Sequence, residues 1–267
     1  MKKTLIYFFY VLIVLASFGV DAQLSSVEPK EIILLIGQSN MAGRAELLPS
    51  DMQIVKNAFV LDSLNQWSPL KSPLNIHSTI RKIASMQRFN LGYSFAEEIV
   101  LSETIKPLGL VVNARGGTKI HQWIPGTHYY QEAVRKGSLA KGIEGKIVAT
   151  LWLQGESNLN DLDENYKNYF KNLKSIIYAL RKDLENDEMI FIAAELKMNK
   201  PENEVFKKML SRLNTEVPNA GSVISEGTST YDGTHYDNKS LKILGKRFAQ
   251  EFKELYKKLN EKEIIFN

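Results

Sequence analysis

The fold is decided by the stretch EIILLIGQSNMAG, residues 31–43. An aliphatic run after Glu31 ends at Gly37, which is the pattern of a buried parallel strand followed by a tight turn. Ser39 comes two residues after that glycine, where a strand would give way to a helix. Because glycine permits a sharp turn, Ser39 can present its hydroxyl at the sheet edge as a nucleophile. The alternative is a helix N-cap. Met41 replaces the second glycine of the Gly-x-Ser-x-Gly elbow of α/β-hydrolases, so that motif is absent.

Further short aliphatic runs repeat this pattern along the chain. Segments with apolar residues at three-to-four spacing separate them, and the clearest helical stripe runs from Leu241 to Leu259. Strands that alternate with helices favour parallel pairing in one sheet covered on both faces. The sequence therefore predicts an α/β fold with five parallel strands, the first at Glu31–Ile36 and the others at Leu108–Val112, Ile147–Leu153, Met189–Ala194 and Ser222–Ser225.

Composition excludes several classes of protein. The chain has 267 residues, 44% of them hydrophobic and 24% charged, which excludes collagen-like and wholly disordered chains. A net charge of +4 is small for this length and does not indicate a nucleic-acid partner. There is no cysteine, so disulfides and thiol chemistry are excluded. No linker or repeat interrupts the alternation, which predicts a single domain over residues 23–267.

The first 22 residues have the pattern of a secretory signal peptide. Lys2 and Lys3 precede an uncharged apolar stretch, and small residues that end at Ala22 form a cleavage-like sequence. The apolar stretch is shorter than the roughly 20 residues that a membrane-spanning anchor needs. We therefore expect an exported protein, periplasmic or secreted by a bacterium, with no stable membrane insertion once the signal is removed.

Chemically capable residues follow the other predicted strands. Gly116 and Gly117 can bring a backbone N–H close to a ligand, or form an ordinary turn. Gln154 and Glu156 supply a donor amide and a carboxylate at one strand end, where capping of the next helix is the alternative. Asp232 and His235, three residues apart on one turn, can both face a pocket. The alternative is an ordinary turn aspartate beside a partly buried histidine. Ligand sites in open α/β sheets lie beyond the carboxyl ends of the strands, so the four loops together indicate one site.

Metal and cofactor chemistry have no support in the sequence. The four histidines, His77, His121, His128 and His235, do not stand at ligand spacing, and no cysteine ligand exists. Neither phosphate-binding glycine motif follows the strands. The sequence therefore predicts chemistry that needs no metal and no cofactor.

Four sequence blocks together resemble the SGNH-hydrolase superfamily, and more narrowly the sialate O-acetylesterase-type domain shared with carbohydrate esterase family six, which includes acetylxylan esterases. They are GQSNM at residues 37–41, GGT at 116–118 with Trp123, WLQGES at 152–157 and DGTH at 232–235. The resemblance covers nearly the whole chain after residue 22. It implies a three-layer α/β/α, flavodoxin-like fold with a five-stranded parallel sheet, and serine-dependent removal of acetyl groups from sugars.

The resemblance also implies a role for each matching residue. Ser39 would be the nucleophile and His235 the general base, with Asp232 as the acid and Glu156 as the alternative acid. The oxyanion donors would be the backbone N–H groups of Ser39 and Gly117 and the side chain of Gln154. Candidates for contact with an acetylated carbohydrate, with loop packing as the alternative for the aromatic residues, are Gln38, Asn40, His121 and Trp123.

Three functions remain open on the sequence. The leading one is a carbohydrate O-acetylesterase. The second is a lipase-like or thioesterase-like SGNH acyl hydrolase, and the third is a noncatalytic glycan-binding protein on the same fold. The sequence does not choose among acetylated sialic acid, xylan and pectin.

Overall fold

A computed structural model of the protein describes residues 28–160 and 166–266. The predicted signal peptide, residues 1–22, lies outside this range. In the described part of the chain, no helix is both long and apolar enough to cross a membrane.

The central sheet has seven strands rather than the five predicted. Its order is β3-β2-β4-β1-β5-β6-β7, and every neighbouring pair is parallel except β2 and β3. The predicted five-stranded sheet is therefore wrong in strand number, while the five predicted runs correspond to β1, β4, β5, β6 and β7. The strands are β1 Glu31–Gly37, β2 Ala58–Leu61, β3 Trp67–Pro69, β4 Leu108–Val112, β5 Lys146–Leu153, β6 Ile190–Ala194 and β7 Ala220–Val223.

Helices cover both faces of this sheet. On one face α2 and α7 pack together, α2 against β2 and β4 and α7 against β6 and β7. On the other face α3 packs on β1, β4 and β5 and contacts α4. The predicted α/β/α layering is thereby confirmed. The helices are α1 Ser39–Ala42, α2 Gly92–Leu101, α3 His128–Lys141, α4 Lys167–Asp183, α5 Glu202–Leu210, α6 Leu213–Glu216 and α7 Asn238–Phe266.

Strand β1 is the centre of the core. The side chains from Ile32 to Leu35 are fully buried, because helices cover both faces of the sheet and leave no solvent-facing row. Burying each such aliphatic side chain contributes about 1.5–3 kcal/mol. The sheet grows from β1 in one direction through β4 and β2 and in the other through β5 and β6. In open α/β sheets, ligands bind beyond the carboxyl ends of the strands. Ser39 follows the carboxyl end of β1, the central strand of this sheet.

Candidate active site

The turn after β1 places Ser39 at the carboxyl edge of the sheet. Gly37 has φ +145, and a β-carbon there would lie 2.2 Å from the carbonyl oxygen of Leu153. The next residue, Gln38, donates its backbone N–H to the same carbonyl over 2.9 Å. Only glycine allows this approach of β1 and β5, which forces the chain to turn sharply into α1. Ser39 is the first residue of α1 and is 6% exposed.

The loop that carries His235 is a closed turn. An antiparallel bridge joins Thr230 to Tyr236, and the backbone N–H of Tyr231 donates to the carbonyl of His235 over 2.9 Å. Inside the turn, Oδ1 of Asp232 accepts the backbone N–H of His235 over 2.7 Å and that of Thr234 over 3.0 Å. Aspartate favours such local bonds to the backbone of following residues. The three-residue spacing therefore fixes the carboxylate beside the imidazole.

Ser39, His235 and Asp232 form one hydrogen-bonded chain. Nε2 of His235 lies 3.0 Å from Oγ of Ser39, and Nδ1 lies 2.7 Å from Oδ2 of Asp232. An ionised carboxylate only accepts, so Nδ1 carries the proton and Nε2 is left to accept the serine hydroxyl. Burial opposes ionisation of Asp232, but hydrogen bonds from His235 and Thr234 hold the pKa of its carboxyl below the usual value. The structure thus brings together the three residues predicted to act as nucleophile, base and acid.

Glu156, the alternative acid, lies elsewhere. Its Oε1 accepts a hydrogen bond from Nδ2 of Asn40, not from His235. Among the residues the structure describes, Oε2 has no hydrogen-bond partner. Burial raises the pKa of the Glu156 carboxyl to about 7. The geometry therefore puts Asp232, and not Glu156, in the position of the predicted acid.

The glycine pair after β4 lies against the serine. A β-carbon at Gly116 would lie 3.2 Å from Cβ of Ser39, so the turn packs directly on the nucleophile's side chain. Within the described ranges, the backbone N–H groups of Ser39 and Gly117 have no acceptor. A developing oxyanion needs free N–H groups near the nucleophile, so these two groups remain the predicted oxyanion donors.

The side chain of Gln154 is more constrained than predicted. Its Nε2 lies 2.8 Å from the carbonyl of Thr118, 2.9 Å from Oδ1 of Asn158 and 3.1 Å from Oε1 of Gln38. An amide has two hydrogens, so these three acceptors already exceed its capacity. A substrate oxygen would have to displace one of them, and the role of Gln154 as an oxyanion donor stays a prediction.

Three of the four residues predicted to contact the carbohydrate are buried and bonded within the protein. Gln38 is 2% exposed, and its Oε1 faces Gln154 and the β5 loop. Asn40 is 1% exposed, and both its amide nitrogen and its oxygen are bonded within the protein. The ring of Trp123 packs edge-on against Trp152, and its Nε1 donates to the side chain of Thr118. The structure therefore gives Gln38, Asn40 and Trp123 a part in the framework of the site, and direct contact of these residues with a sugar stays a prediction.

His121 remains a candidate for contact with the substrate. It is exposed, in a 3-10 turn three residues beyond Thr118. The prediction that it touches a sugar stays a prediction.

A loop over residues 78–88, the cationic wall, stands beside the site. Nη1 of Arg115 donates to the carbonyls of residues 80 and 81 over 3.0 and 3.1 Å. Nη1 of Arg44 donates to the carbonyl of Met86 over 3.0 Å. A β-carbon at Gly117 would lie 3.5 Å from the ammonium of Lys82, so this cation lies close to the glycine turn. The wall is therefore tied to the loops that follow β1 and β4.

Sequence reasoning missed several residues of this surface. The ring of Tyr231 stacks on His235 with centroids 6.0 Å apart, and its hydroxyl donates to the carbonyl of Arg44 over 3.3 Å. Burial and the charge of Asp232 raise the pKa of the Tyr231 hydroxyl, and the nearby cations Arg88 and Arg44 oppose this rise only in part. The available signals were Arg44, which directly follows Gly43 at the end of the stretch 31–43, and the basic residues of an otherwise patternless loop.

The fold and this arrangement define a three-layer protein of the SGNH type, with serine, histidine and aspartate in line above its central strand. The chain belongs to the family described as carbohydrate esterase, sialic acid-specific acetylesterase, whose model matches residues 29–254. That match includes all four sequence blocks.

Individual relatives agree with this membership. A probable carbohydrate esterase from Arabidopsis thaliana is 30% identical over 176 residues, which are 60% of this chain and 66%, just under two thirds, of the relative. A solved Arabidopsis thaliana structure superposes with a TM-score of 0.74 at 26% identity, over 84% of this chain and 98% of that one. The structure named NanS gives a TM-score of 0.69 at 15% identity, over 87% and 99% of the two chains. At that identity the likeness shows the fold alone.

Proposed function

We propose that this protein is a serine-dependent carbohydrate O-acetylesterase. The observation that carries the proposal is the hydrogen-bonded line from Ser39 through His235 to Asp232. Membership of a carbohydrate esterase family supports the sugar-ester substrate. The two free backbone N–H groups beside the serine support acyl transfer over simple glycan binding.

The mechanism follows from the positions of the donors and acceptors. Nε2 of His235 takes the hydroxyl proton while Oγ of Ser39 attacks the acetyl carbonyl carbon, and the carbonyl electrons move to the oxygen. The N–H groups of Ser39 and Gly117 hold that oxyanion. His235 then returns the proton to the sugar oxygen as the ester bond breaks. Water then attacks the acetyl-enzyme carbonyl while His235 takes one of its protons. The bond between Oγ of Ser39 and the acyl carbon breaks, His235 returns the proton to Oγ, and acetate leaves. Asp232 keeps the imidazole in the required tautomer and stabilises its charged form.

The charge of the cationic wall supports one class of sugar. Lys82 and Arg88 are exposed, and Arg44 lies beside Gly116. No carboxylate in the described part of the chain forms an ion pair with these three cations. Unpaired cations at a cleft raise the local concentration of anionic ligands. We propose that the preferred substrate is an acetylated sugar that carries a carboxylate.

Replacing the serine tests the reaction. Ser39→Ala should abolish acetate release from an acetylated sugar and from nitrophenyl acetate, while Ser102→Ala, an exposed serine at the end of α2, should leave it unchanged. A serine-directed phosphonate should label the wild-type protein and not Ser39→Ala. Full activity of Ser39→Ala would contradict the mechanism. Binding of glycans without labelling or turnover would favour the noncatalytic alternative, and a rate that rises with acyl-chain length would favour the lipase-like one.

A panel of substrates tests the sugar class. Acetylated sialic acid should be hydrolysed with a higher kcat/KM than a neutral acetylated xylooligosaccharide. Lys82→Gln should reduce that ratio about 1.5- to 5-fold, the loss of one exposed electrostatic contact. Lys171→Gln, an exposed lysine on α4, is the matched control. If Lys82→Gln leaves the ratio of the two kcat/KM values unchanged, Lys82 of the wall does not contribute to substrate selection.

Export is the remaining part of the proposal. We propose that residues 1–22 direct the chain out of the cytoplasm, as their charge and apolar pattern predict. Expression of the full chain in a bacterial host, followed by acetate-release assays of cytoplasm, periplasm and medium, tests this. Activity confined to the cytoplasm in an uncleaved chain would contradict it.

A further inference from the structure

Asn40 forms hydrogen bonds with the histidine loop on both sides of His235. Its Nδ2 donates to the carbonyl of Thr234 over 3.0 Å, and its Oδ1 accepts the backbone N–H of Tyr236 over 3.0 Å. These two backbone groups flank His235 directly. Asn40 also directly follows Ser39 in α1. One side chain therefore sets the distance between the nucleophile's helix and the loop of its base.

Glu156 holds Asn40 in this orientation. Nδ2 of Asn40 gives its second hydrogen to Oε1 of Glu156, so the amide cannot flip without losing an acceptor. The carboxylate is buried at the end of β5, while Asn40 follows β1 and His235 precedes α7. The contact thus joins three separate strand-end loops. The backbone N–H groups of Gly155 and Glu156 also favour the ionised carboxyl, while Oε2 has no geometric hydrogen-bond partner in the described residues. Asn40 is thus the side chain that holds this buried carboxyl within the described part of the chain.

We propose that Glu156 and Asn40 form a positioning pair that fixes His235 against Ser39, with Glu156 acting through Asn40 and touching neither the imidazole nor the substrate. This inference rests on the proposed function. What the pair requires of Glu156 is the acceptor oxygen Oε1, and not a negative charge that acts on His235. Since burial raises the pKa of this carboxyl to about 7, the pair must work with the carboxyl protonated or ionised, and Oε1 can accept in both forms. The titratable groups coupled to it are Tyr169 and Tyr236: burial raises the pKa of each hydroxyl, and the charge of Glu156 adds to that rise.

Conservative and truncating variants separate positioning from acid chemistry. Glu156→Gln keeps an acceptor for Asn40 and should retain kcat within about threefold of wild type. Glu156→Ala removes it and should lower kcat about 10- to 100-fold with KM little changed, because a displacement near 1 Å costs about 10²-fold. Asp232→Asn, the matched change at the predicted acid, should cost about 10³- to 10⁴-fold, since it favours the wrong tautomer.

A double-mutant cycle tests whether Glu156 acts through Asn40. If it does, Glu156→Ala should add almost nothing to the kcat loss of Asn40→Ala. The rate of phosphonate labelling of Ser39 should follow the same pattern, since it reports activation of the serine without a sugar. Circular dichroism and urea unfolding of each variant identify any that fail to fold, and the comparison of Glu156→Gln with Asp232→Asn then decides alone.

Several results would overturn the positioning pair. Glu156→Gln as damaging as Asp232→Asn would make the carboxylate charge essential. If the kcat losses of Glu156→Ala and Asn40→Ala multiply in the double variant, the two residues act independently. If Glu156→Ala keeps the kcat of wild type, Glu156 has no positioning role. All three leave active wild type and inactive Ser39→Ala in place, so they are distinct from failure of the proposed function, in which wild type itself neither turns over nor is labelled.

Discussion

Replacing Gly37 by alanine is expected to damage both stability and activity. The new β-carbon would lie 2.2 Å from the carbonyl oxygen of Leu153, so β1 and β5 must separate by about 0.8 Å to reach even 3.0 Å. The hydrogen bond from Gln38 to that carbonyl must lengthen with them. A clash with backbone in a packed core belongs to the large end of single-substitution effects, about 3–4 kcal/mol of unfolding free energy. Ser39 stands two residues away, and a shift near 1 Å costs about 10²-fold in rate.

The matched control is Gly126→Ala. Gly126 also has positive φ, +87, but no atom of the described residues lies within 4 Å of the place that a β-carbon would take there. This variant isolates the backbone cost of about 1–2 kcal/mol. Urea unfolding gives the difference between the two variants, and thermal unfolding should place Gly37→Ala about 6–16 °C below wild type at about 2–4 °C per kcal/mol. If both variants unfold at the same urea concentration and Gly37→Ala keeps wild-type acetate release, the close approach of β1 and β5 does not constrain the site.

Two further predictions concern the scaffold. Hydrogen bonds from Arg135 lower the pKa of Glu132 to about 2, so the stabilising contribution of this carboxylate is present above about pH 4.5 and is lost as pH falls toward 2. Glu132→Gln should therefore make the free energy of unfolding, measured in urea, fall less steeply between pH 4.5 and 2. The same slope in the variant and in wild type would contradict this. Trp123→Ala should cost about 3–5 kcal/mol by leaving a cavity against Trp152, measured by urea unfolding, whereas a substrate-contact role would raise KM with stability unchanged.

The sequence predicted the parallel core well because its strands are buried on both faces. Such strands are continuous aliphatic runs, and β4, for example, spans Leu108–Val112 as predicted. The two missed strands are short and peripheral. β2 has four residues and β3 has three, and the turn between them is held by bonds to the carboxylate of Asp62 that no hydrophobic period records.

The site was predictable where its contacts are local or follow strand ends. Asp232 and His235 are three residues apart, so their contact is nearly fixed by one turn. Asn40 and Glu156 are 116 residues apart, and their contact depends on how two loops meet in space. The framework contacts of Asn40 were not predicted for the same reason, since its neighbours in the folded chain lie far from it in sequence.

The attachment of the cationic wall bears on the substrate selection proposed above. Arg44 and Arg115 grip residues 80, 81 and 86 only through backbone carbonyls, which every amino acid possesses. Side chains along residues 81–86 can therefore be exchanged while these grips persist. Substitutions in this loop should therefore leave the positions of Ser39, His235 and Asp232 unchanged. Since we propose that the wall selects the substrate, a library of variants confined to residues 81–86 should yield esterases that accept different acetylated sugars.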